Sequence, residues 1–444
     1  MNNQKLHICF LATSFPRSLD DEASVFLGRL IDAYSEIGIR GEVIVPHDRA
    51  ETMEDQRGNF AIHRFRYGLF SAGRLAFGSG ILPNLRRNRL LSLQVPLFLL
   101  QFFFTAFILE DNEIVRKSPR EKTHTGRQKQ SKAASFWQFR PDNFIGGQYK
   151  TRKQWNLIQA CWLVTGIPAL FLSILTKRPY VLTLLGEDIK LLRLPVKWLL
   201  YPILSNATHI TTVSDELKRE LHTSFPKLQT PVSVVMNGVT QYSNDDSAIS
   251  DFKVKYNLNI PNDAVVLTFI GRMVALKRPE FLIRLLSHLP STQCYHLVLA
   301  GRIDGEMLRY LSHLAQELGV KERVHIIGSI LPSEVGPLLN MAKCYLSAST
   351  HEGRSNSVQE ALLAGVLPCL SDIPGHRELV RNYENGLLFQ DDDPKKTAEI
   401  LHSTLNNEAQ YSALTQSAID SVKHLTWHEC AQQYSAIFNE FLCR

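Results

Sequence analysis

Two glutamates, Glu352 and Glu360, stand eight residues apart in the segment EGRSNSVQE (352–360). The loop between them consists of small or hydrogen-bonding residues: Gly353, Arg354, Ser355, Asn356 and Ser357. The apolar run CYLSAS (344–349) precedes this loop, and a helical pattern of apolar residues follows it. At such a junction the first N–H groups of the helix are unpaired and the helix dipole favours negative charge. The segment therefore predicts a binding site for an anion or a sugar.

Glu360 has a second interpretation, because Ser357-x-x-Glu360 fits a capping box at the start of the predicted helix. A cap explains Glu360 alone. It does not explain Glu352, which precedes the helix on a loop and therefore predicts a ligand contact. Both interpretations of Glu360 stay open at this point.

A second polar loop, GRMVALKRP (271–279), follows the apolar run AVVLTFIG (264–271). It begins at Gly271 and brings two permanent positive charges, on Arg272 and Lys277. Arginine can bind two phosphate oxygens at once, and lysine acts as a point charge. Beside the glutamate loop, these two side chains suit the binding of a diphosphate.

Alternating strands and helices must position both loops. The C-terminal half has apolar runs at 264–271, 296–301, 323–329, 344–349 and 367–372, with helical patterns at 279–289, 306–319 and 333–342. The N-terminal half has strand candidates at 6–14, 41–46, 156–162, 180–186 and 209–214, with helix candidates at 23–38 and 166–176. This alternation predicts doubly wound parallel sheets, which bind ligands beyond the C-terminal ends of their strands. The predicted fold class is α/β, with two Rossmann-like doubly wound domains facing a central cleft.

The predicted N-terminal domain covers residues 1–240 and contains a basic insertion at about 110–154. The predicted C-terminal domain covers 241–425, after a linker rich in Ser, Asn and Asp at 238–250. A last helix, 426–444, is expected to pack back toward the N-terminal domain.

Composition excludes several classes of protein. The seven cysteines are scattered without a C-x-x-C pair, so neither a disulfide framework nor a zinc site is indicated. The net charge of +6 is uneven, since residues 1–240 hold 31 basic and 20 acidic side chains and residues 241–444 hold 18 and 23. A uniformly basic nucleic-acid-binding surface is therefore not indicated. The run that opens the chain, KLHICFLATSFPR, is interpreted as a first buried strand rather than an export signal.

Two segments of the N-terminal half raise the question of a membrane. The apolar stretch 90–109 is long enough to span a bilayer, but it also fits a helix on a membrane surface or a buried core helix, and the last is favoured. Residues 116–153 carry 11 basic and 2 acidic side chains. They are interpreted as a solvated loop, with attraction to anionic lipid headgroups or binding to nucleic acid as alternatives.

Several motifs carry a resemblance to a known family. GRMVALK (271–277), STHEGRSNSVQEALLAGVLPCLSDIPGHRELV (349–380) and NGLLF (385–389) resemble the donor domain of glycosyltransferase family 4, retaining enzymes with the GT-B fold. TSFPR (13–17), TLLGEDI (183–189) and TTVSDELKREL (211–221) are similar to the same family in the same order. The resemblance covers nearly the whole chain, apart from roughly 110–154.

This resemblance implies a role for each matching residue. Glu360 would hold the ribose hydroxyls of a nucleotide sugar, and Glu352 would face the sugar near its anomeric carbon. Arg272 and Lys277 would neutralise the departing diphosphate, which is electrostatic stabilisation of the transition state. The remaining donor-binding positions would be Gly271, Gly353, Arg354, Ser355, Asn356, Ser357 and Ile330, the last beside the base. Gly186 and Asp188 would lie on the acceptor or sugar side.

The sequence departs from the family pattern at three places, one of which is FPRSLDDEAS (15–24), where members have a glycine pair near the first loop. Gln159-Ala160-Cys161-Trp162 stands where members often have His-x-His-Trp, and Leu185-Gly186-Glu187-Asp188 stands where they often have His-Gly-x-Asp. The second histidine commonly contacts the donor sugar, so Leu185 removes a polar group from the site. These departures put the choice of sugar, and to a lesser degree the activity, in question.

The resemblance implies a retaining, metal-independent glycosyltransferase that uses a nucleotide-diphosphate sugar and no cofactor. The expected acceptor is a glycan or lipid-linked molecule of cell-envelope polysaccharide biosynthesis, met in the cytoplasm at the inner face of the membrane. An anionic membrane surface is an expected partner through residues 86–153, and nucleic acid is not. The main alternative is a non-catalytic partner subunit that binds a nucleotide sugar or a glycan. A nucleotide-sugar epimerase with two Rossmann-like domains is a second alternative.

Overall fold

Two parallel sheets, each flanked by helices, form the core of the chain. The computed structural model describes residues 6–47, 55–67, 75–76, 81–110, 155–193, 197–390 and 392–442. Most of the predicted basic insertion therefore lies outside the described residues.

The N-terminal sheet has eight strands in the order β3-β4-β2-β1-β5-β6-β7-β8. All neighbouring strands are parallel except β3 and β4. The strands are β1 (His7–Leu11), β2 (Arg40–Pro46), β3 (Gln56–Arg57), β4 (Phe60–Phe65), β5 (Leu157–Cys161), β6 (Tyr180–Leu184), β7 (His209–Thr212) and β8 (Val232–Val234). The central strands β1, β5 and β6 are buried throughout, as expected for a parallel sheet covered on both faces.

Seven helices belong to this part of the described chain. They are α1 (Val25–Glu36), α2 (Ile81–Arg87), α3 (Gln94–Glu110), α4 (Gly166–Thr176), α5 (Ile189–Leu192), α6 (Tyr201–Ser205) and α7 (Asp215–Ser224). The start of helix α7 is stabilised by its own sequence, because Ser214 accepts a hydrogen bond from the Leu217 N–H and two acidic residues occupy the first turn.

The C-terminal sheet has six parallel strands in the order β11-β10-β9-β12-β13-β14. They are β9 (Val265–Ile270), β10 (Tyr295–Ala300), β11 (Val324–Gly328), β12 (Cys344–Ser347), β13 (Leu367–Ser371) and β14 (Leu387–Phe389). The helices around them are α8 (Asp246–Lys255), α9 (Pro279–His288), α10 (Gly305–Glu317), α11 (Val335–Asn340), α12 (Asn356–Leu363), α13 (Pro374–Arg377), α14 (Pro394–Leu405) and α15 (Glu408–Val422). Asp393 caps α14, because its carboxylate accepts the N–H groups of Lys395 and Lys396.

The last helix, α16 (Trp427–Leu442), packs on α1 of the N-terminal domain rather than on the C-terminal sheet. Tyr434 and Phe438 both contact the ring of Tyr34, with centroid distances of 5.9 and 6.1 Å. These two side chains and Cys430 belong to the same buried apolar cluster as the N-terminal strands. The chain therefore returns to its first domain after completing the second.

The predicted doubly wound fold is confirmed. The apolar runs of both halves form the central strands, and the helix predicted at 166–176 has the predicted limits. The sequence did not predict strands at Phe60–Phe65 or Val232–Val234. The first contains His63 and Arg64, and the second has three residues, so neither shows a continuous apolar run.

Residues Arg89–Glu110 form, within the described chain, the one helical stretch long and apolar enough to cross a membrane. Phe98, Phe102 and Ala106 are buried against the N-terminal core. Leu100 and Phe104, on the other side, are 51% and 47% exposed. The favoured interpretation of this segment as a buried core helix is therefore wrong for its outer face.

Gly301 and Gly305 lie close in the chain but in different environments. Gly301 has φ 132°, and a side chain there would overlap the backbone carbonyl of Gly271. We expect Gly301→Ala to lower the free energy of unfolding by about 2 kcal/mol or more, since the conformation is open only to glycine and the space is filled. Gly305 opens α10, and a Cβ there meets nothing within 4 Å, so Gly305→Ala should leave stability unchanged or slightly raised. Urea unfolding followed by circular dichroism tests this; equal midpoints for the two variants would contradict it.

Candidate active site

The C-terminal ends of the two sheets meet at a pair of glycines. A Cβ built on Gly186, after β6, would lie 3.3 Å from the Cα of Gly353, and one built on Gly353 would lie 2.6 Å from the Cα of Gly186. The glutamate loop of the C-terminal domain therefore touches the loop that follows β6. No side chain other than hydrogen fits at position 353.

Lys277 and Glu352, predicted from separate loops, form an ion pair between the Lys277 ammonium and the Glu352 Oε1. Their side chains are 17% and 12% exposed. Ser349, at the end of β12, donates its hydroxyl to the same oxygen at 2.7 Å. The predicted catalytic carboxylate is thus fixed by two partners beside a cation suited to a phosphate. Arg272 lies on the same loop as Lys277 and is exposed.

Behind Glu352 lies a buried polar network that ends at His376. The imidazole N–H of His376 Nδ1 donates to the carbonyl of Ser371 at 2.7 Å, and Nε2 lies 3.5 Å from the Ser347 hydroxyl. Ser347 is 3.1 Å from Ser349, which binds Glu352. Burial lowers the pKa of His376, so its imidazole is neutral at pH 7. A chain of neutral groups therefore supports the carboxylate from inside the domain.

Glu360 does not cap its helix. The helix α12 begins at Asn356 with Ser355 as its N-cap, and no side chain makes a capping hydrogen bond there. Ser357 instead lies 2.8 Å from the Tyr345 hydroxyl. The capping-box interpretation is therefore wrong, because the neighbouring strand supplies a better partner for the serine.

The carboxylate of Glu360 is bound by the N-terminal domain. Arg29, on α1, donates from Nη1 to Glu360 Oε1 at 2.7 Å and from Nη2 to the Tyr242 hydroxyl at 3.0 Å. The Tyr242 hydroxyl donates to the same Glu360 oxygen at 3.0 Å. Desolvation works against the charge of Arg29, but Glu360 outweighs it, and the pKa of Arg29 is raised. Three distant parts of the chain thus meet at one carboxylate.

Arg354 turns inward rather than toward the open cleft, and its side chain is 3% exposed. Its Nε donates to Gln359 at 2.9 Å, and its Nη1 lies 3.8 Å from Glu378 Oε2. Burial lowers its pKa. Asn356 accepts a hydrogen bond from Asn237 at 3.1 Å, which joins the glutamate loop to the chain segment before the linker. These contacts hold both side chains in place.

Asp188 supports a loop from inside the N-terminal domain. It is buried, and its two carboxylate oxygens accept the N–H groups of Leu163 at 3.0 Å and Leu185 at 2.8 Å. These bonds fix the backbone around Gly186. Leu185 itself is buried in the apolar core, so the residue that replaces the family's histidine presents no polar group. Gln159 is buried as well and bonds to Tyr34 and Thr183.

Ile330 lines a cavity between the domains. The cavity, of about 350 Å³, has on one side the loop Arg17–Glu22 after β1 and on the other side Ser329–Leu331 after β11. Within that first loop, Arg17 and Asp21 form an ion pair at 2.6 Å. A group of the size of a nucleobase would meet both domains here.

Two carboxyl groups from different domains meet on the far side of the glutamate loop. Glu378 accepts the backbone N–H of Glu216 at 2.5 Å, at the start of α7. Burial raises the pKa of both, and the neighbouring Glu378 raises that of Glu216 further. Sequence reasoning missed this contact and the one at Arg29, because neither pattern nor spacing relates residues on separate domains. Glu378 and His376 do lie within the segment 349–380 that resembles the family, and that resemblance was the signal in the sequence that pointed to them.

The contact at Glu216 predicts a dependence of stability on pH. A carboxyl pKa that is raised in the folded state means that the folded chain binds more protons than the unfolded chain, so stability falls as pH rises from the ordinary value of 4.5 through the raised value. Glu216→Gln keeps the shape without the charge, and it should raise the melting temperature at pH 7 but not at pH 4.5. Glu220→Gln, which removes the partner of Arg193 at 3.0 Å, is the control and should not stabilise. A Glu216→Gln variant less stable than wild type at pH 7 would contradict the prediction.

Residues 251–421 match the family model of the Glycosyl transferases group 1. An uncharacterized glycosyltransferase of Methanocaldococcus jannaschii is 27% identical over 191 residues, 43% of this chain and 48% of that protein. D-inositol 3-phosphate glycosyltransferase 1 of Catenulispora acidiphila is 27% identical over 194 residues, 42% of this chain and 46% of that protein. The chain therefore spans about half the length of these curated relatives.

Solved structures match over nearly the whole chain. HepE of Anabaena, in complex with UDP and glucose, superposes with a TM-score of 0.69 at 17% identity, covering 98% of this chain and 100% of that chain. Sucrose-phosphate synthase of Thermosynechococcus elongatus has a TM-score of 0.73 at 17% identity, covering 99% and 100%. Such likeness establishes the fold. The resemblance and the GT-B fold predicted from the sequence are confirmed, since residues 251–421 match the model of the glycosyl transferases group 1 and the solved structures share the fold.

Proposed function

We propose that this protein transfers a sugar from a nucleotide-diphosphate sugar to a hydroxyl group of a glycan or lipid-linked acceptor, with retention of configuration and without a metal ion. The observation that carries the proposal is the Lys277–Glu352 pair, which lies where the two domains touch at Gly186 and Gly353. It puts a cation and an anion beside each other at the mouth of the cleft. In the transition state of a glycosyl transfer, negative charge develops on the leaving diphosphate and positive charge on the sugar ring, so each protein charge can stabilise the opposite one.

In the proposed reaction the bond between the anomeric carbon and the diphosphate oxygen breaks, and its electron pair leaves with the diphosphate. Arg272 and Lys277 neutralise that charge in place of a metal ion. Glu352 stabilises the positive charge on the sugar ring. The acceptor oxygen forms the new bond on the same face of the ring, and its proton passes to the departing phosphate oxygen. Lys277 must release Glu352 in part when the donor binds, because it serves both groups.

The nucleoside end of the donor is proposed to lie between Glu360 and the cavity beside Ile330. Glu360 would accept hydrogen bonds from the ribose hydroxyls, and backbone groups near Ile330 would contact the base. The cavity volume of about 350 Å³ fits such a group. Among similar proteins, HepE was solved with UDP and glucose, which supports a nucleotide-diphosphate ligand for this fold.

A non-catalytic subunit that binds a nucleotide sugar or glycan is the second candidate. Leu185 favours it, because it is 6% exposed and belongs to the apolar core. The position of a polar sugar contact in related proteins is therefore apolar here. Both candidate functions predict binding of a nucleotide sugar, but only the transferase predicts that the sugar is transferred or hydrolysed.

A donor panel tests the proposed function. The protein is assayed for binding by calorimetry and for slow hydrolysis with UDP-, GDP-, ADP- and TDP-sugars. We expect one base to be preferred. Glu352→Ala should lose at least about 100-fold in hydrolysis while still binding, since a preorganised group that stabilises transition-state charge supplies about this factor.

Matched variants separate the two ends of the donor. Glu360→Ala should weaken binding of the free nucleoside, and Lys277→Met should barely change it. Equal effects would contradict the division of roles. Binding without hydrolysis by wild type would favour the non-catalytic subunit, and no binding to any donor would overturn both candidates.

The acceptor side is proposed to dock on an anionic membrane through one apolar surface. Ten of the seventeen large apolar side chains that are exposed in the described chain lie between residues 90 and 201: Leu90, Leu93, Leu100, Phe104, Phe171, Ile174, Leu175, Trp198, Leu199 and Tyr201. They lie on α3 and the 3-10 turn before it, on α4, and on the start of α6 and the 3-10 turn before it. The helix α4 packs against both α3 and α6. An exposed patch of this kind marks an interaction site.

Charge supports a lipid bilayer as the partner. The segments 81–109, 163–180 and 197–206 contain no Asp or Glu, whereas Arg87, Arg89, Lys177 and Lys197 lie within them. Basic residues around an apolar face are attracted to anionic headgroups. The basic residues of 111–153, part of the predicted membrane partner at 86–153, lie outside the described residues.

Vesicle pelleting tests this surface. Phosphatidylglycerol vesicles should bind the wild-type chain more strongly than phosphatidylcholine vesicles, and salt should reduce the difference. Replacing Ile174 and Trp198 by Ser should lower the bound fraction severalfold. Leu308→Ser with Tyr310→Ser, which changes two exposed apolar residues of the C-terminal domain (39% and 47% exposed), is the matched control and should pellet like wild type. Equal pelleting by both double variants would overturn the membrane proposal.

A further inference from the structure

Glu360 is held by one of its two carboxylate oxygens. Arg29 and the Tyr242 hydroxyl both donate to Oε1, at 2.7 and 3.0 Å. The other oxygen, Oε2, makes no hydrogen bond within the described part of the chain. A carboxylate offers about four acceptor positions, so the two on Oε2 remain for a pair of hydroxyl groups.

The group that fixes Glu360 belongs to the other domain. Arg29 projects from α1, whose Leu27, Leu30 and Ile31 are buried in the N-terminal core. Tyr242 lies in the linker, and its side chain occupies the space beside Gly336, where a Cβ would lie 2.8 Å from the Tyr242 Cβ and 2.9 Å from the first ring atom. The Arg29 and Glu360 side chains are 19% and 11% exposed. The contact is therefore mostly desolvated and joins a helix of each domain, α1 and α12.

We propose that Arg29 is a positioning residue for the nucleoside, which orients Glu360 from the N-terminal domain so that Oε2 receives the ribose hydroxyls. The inference rests on the proposed function and adds a residue outside every motif of the family resemblance. Nucleoside binding to the C-terminal domain then depends on the N-terminal domain being in place. If the two domains separate, Arg29 moves away from Glu360, and the carboxylate is no longer oriented for the ribose hydroxyls.

The geometry of the contact at position 29 favours arginine over lysine. The two terminal nitrogens of the guanidinium contact two different acceptors, the Glu360 carboxylate and the Tyr242 hydroxyl. A lysine ammonium carries the charge but lacks this fixed fork. Arg29→Lys should therefore retain part of the nucleoside affinity that the orientation of Glu360 provides. Tyr242→Phe, which keeps the ring beside Gly336, should lose part of that affinity.

Affinity for free nucleoside diphosphates tests the proposal. UDP, GDP, ADP and TDP are titrated in turn by calorimetry. For the preferred one, we expect Arg29→Met to weaken binding about tenfold and Arg29→Lys about threefold, since a hydrogen-bonded charge is left without its partner. In a Glu360→Gln background, Arg29→Met should produce little further change, because Arg29 acts through the carboxylate.

Pyrophosphate separates positioning from a general loss of structure. It contains the diphosphate without ribose, so its affinity should be the same in wild type and Arg29→Met. Arg193→Met, which breaks the ion pair with Glu220 within the N-terminal domain, is the matched control and should bind every ligand as wild type does.

Three results would overturn the inference. Tighter nucleotide binding by Arg29→Met would mean that Arg29 occupies the ligand's place. An unchanged affinity would mean that Glu360 needs no support, and an equal loss for pyrophosphate would mean a structural role. In each case the wild type binds nucleotide and the proposed function stands. If the wild type binds no nucleotide, the proposed function fails and the inference with it.

Discussion

The approach of Gly186 to Gly353 constrains the rest of the site. At this point the backbones of the two domains touch without an intervening side chain. The glutamate loop can enter the cleft only because position 353 is glycine, and it remains there because Glu352 is held by Lys277 and Ser349. The buried carboxylate of Asp188 holds the opposite loop. Both walls of the cleft are thus fixed from within their own domains.

Buried charge is distributed differently on the two sides of the glutamate loop. On one side, Glu360 meets the arginine of the other domain and the contact is attractive. On the other side, Glu378 faces Glu216, and the attraction comes from the Glu216 backbone N–H and from Arg219, whose Nη2 lies 3.8 Å from Glu378 Oε1, while the two carboxyl groups oppose each other. The first contact joins opposite charges, whereas the second loses stability as its carboxyl groups ionise, because burial raises the pKa of both Glu216 and Glu378.

Sequence pattern predicted the strands and the loops that follow them, because buried parallel strands are continuous apolar runs. It also predicted that the loops at 271–277 and 352–357 would be neighbours, and Lys277 does contact Glu352. It failed where the outcome depends on a partner distant in the chain. The Ser357 hydroxyl contacts the Tyr345 hydroxyl instead of capping its own helix, and the Glu360 carboxylate is bound by Arg29. In the sequence, Arg29 resembles any solvent-facing arginine on an amphipathic helix. Such pairings are decided by tertiary packing, which local spacing does not encode.

The return of α16 to the N-terminal domain has a consequence for synthesis of the chain. Cys430, Tyr434 and Phe438 complete a core whose first strand begins at His7. The ribosome must therefore release nearly the entire polypeptide before the first domain can close its apolar surface. Until then the surface of α1 that α16 covers stays open to solvent, while the C-terminal sheet, contiguous in the chain, can already assemble. The domain translated first is thus the one completed last, and chaperone binding during translation is expected at α1 rather than at the nascent C-terminal sheet.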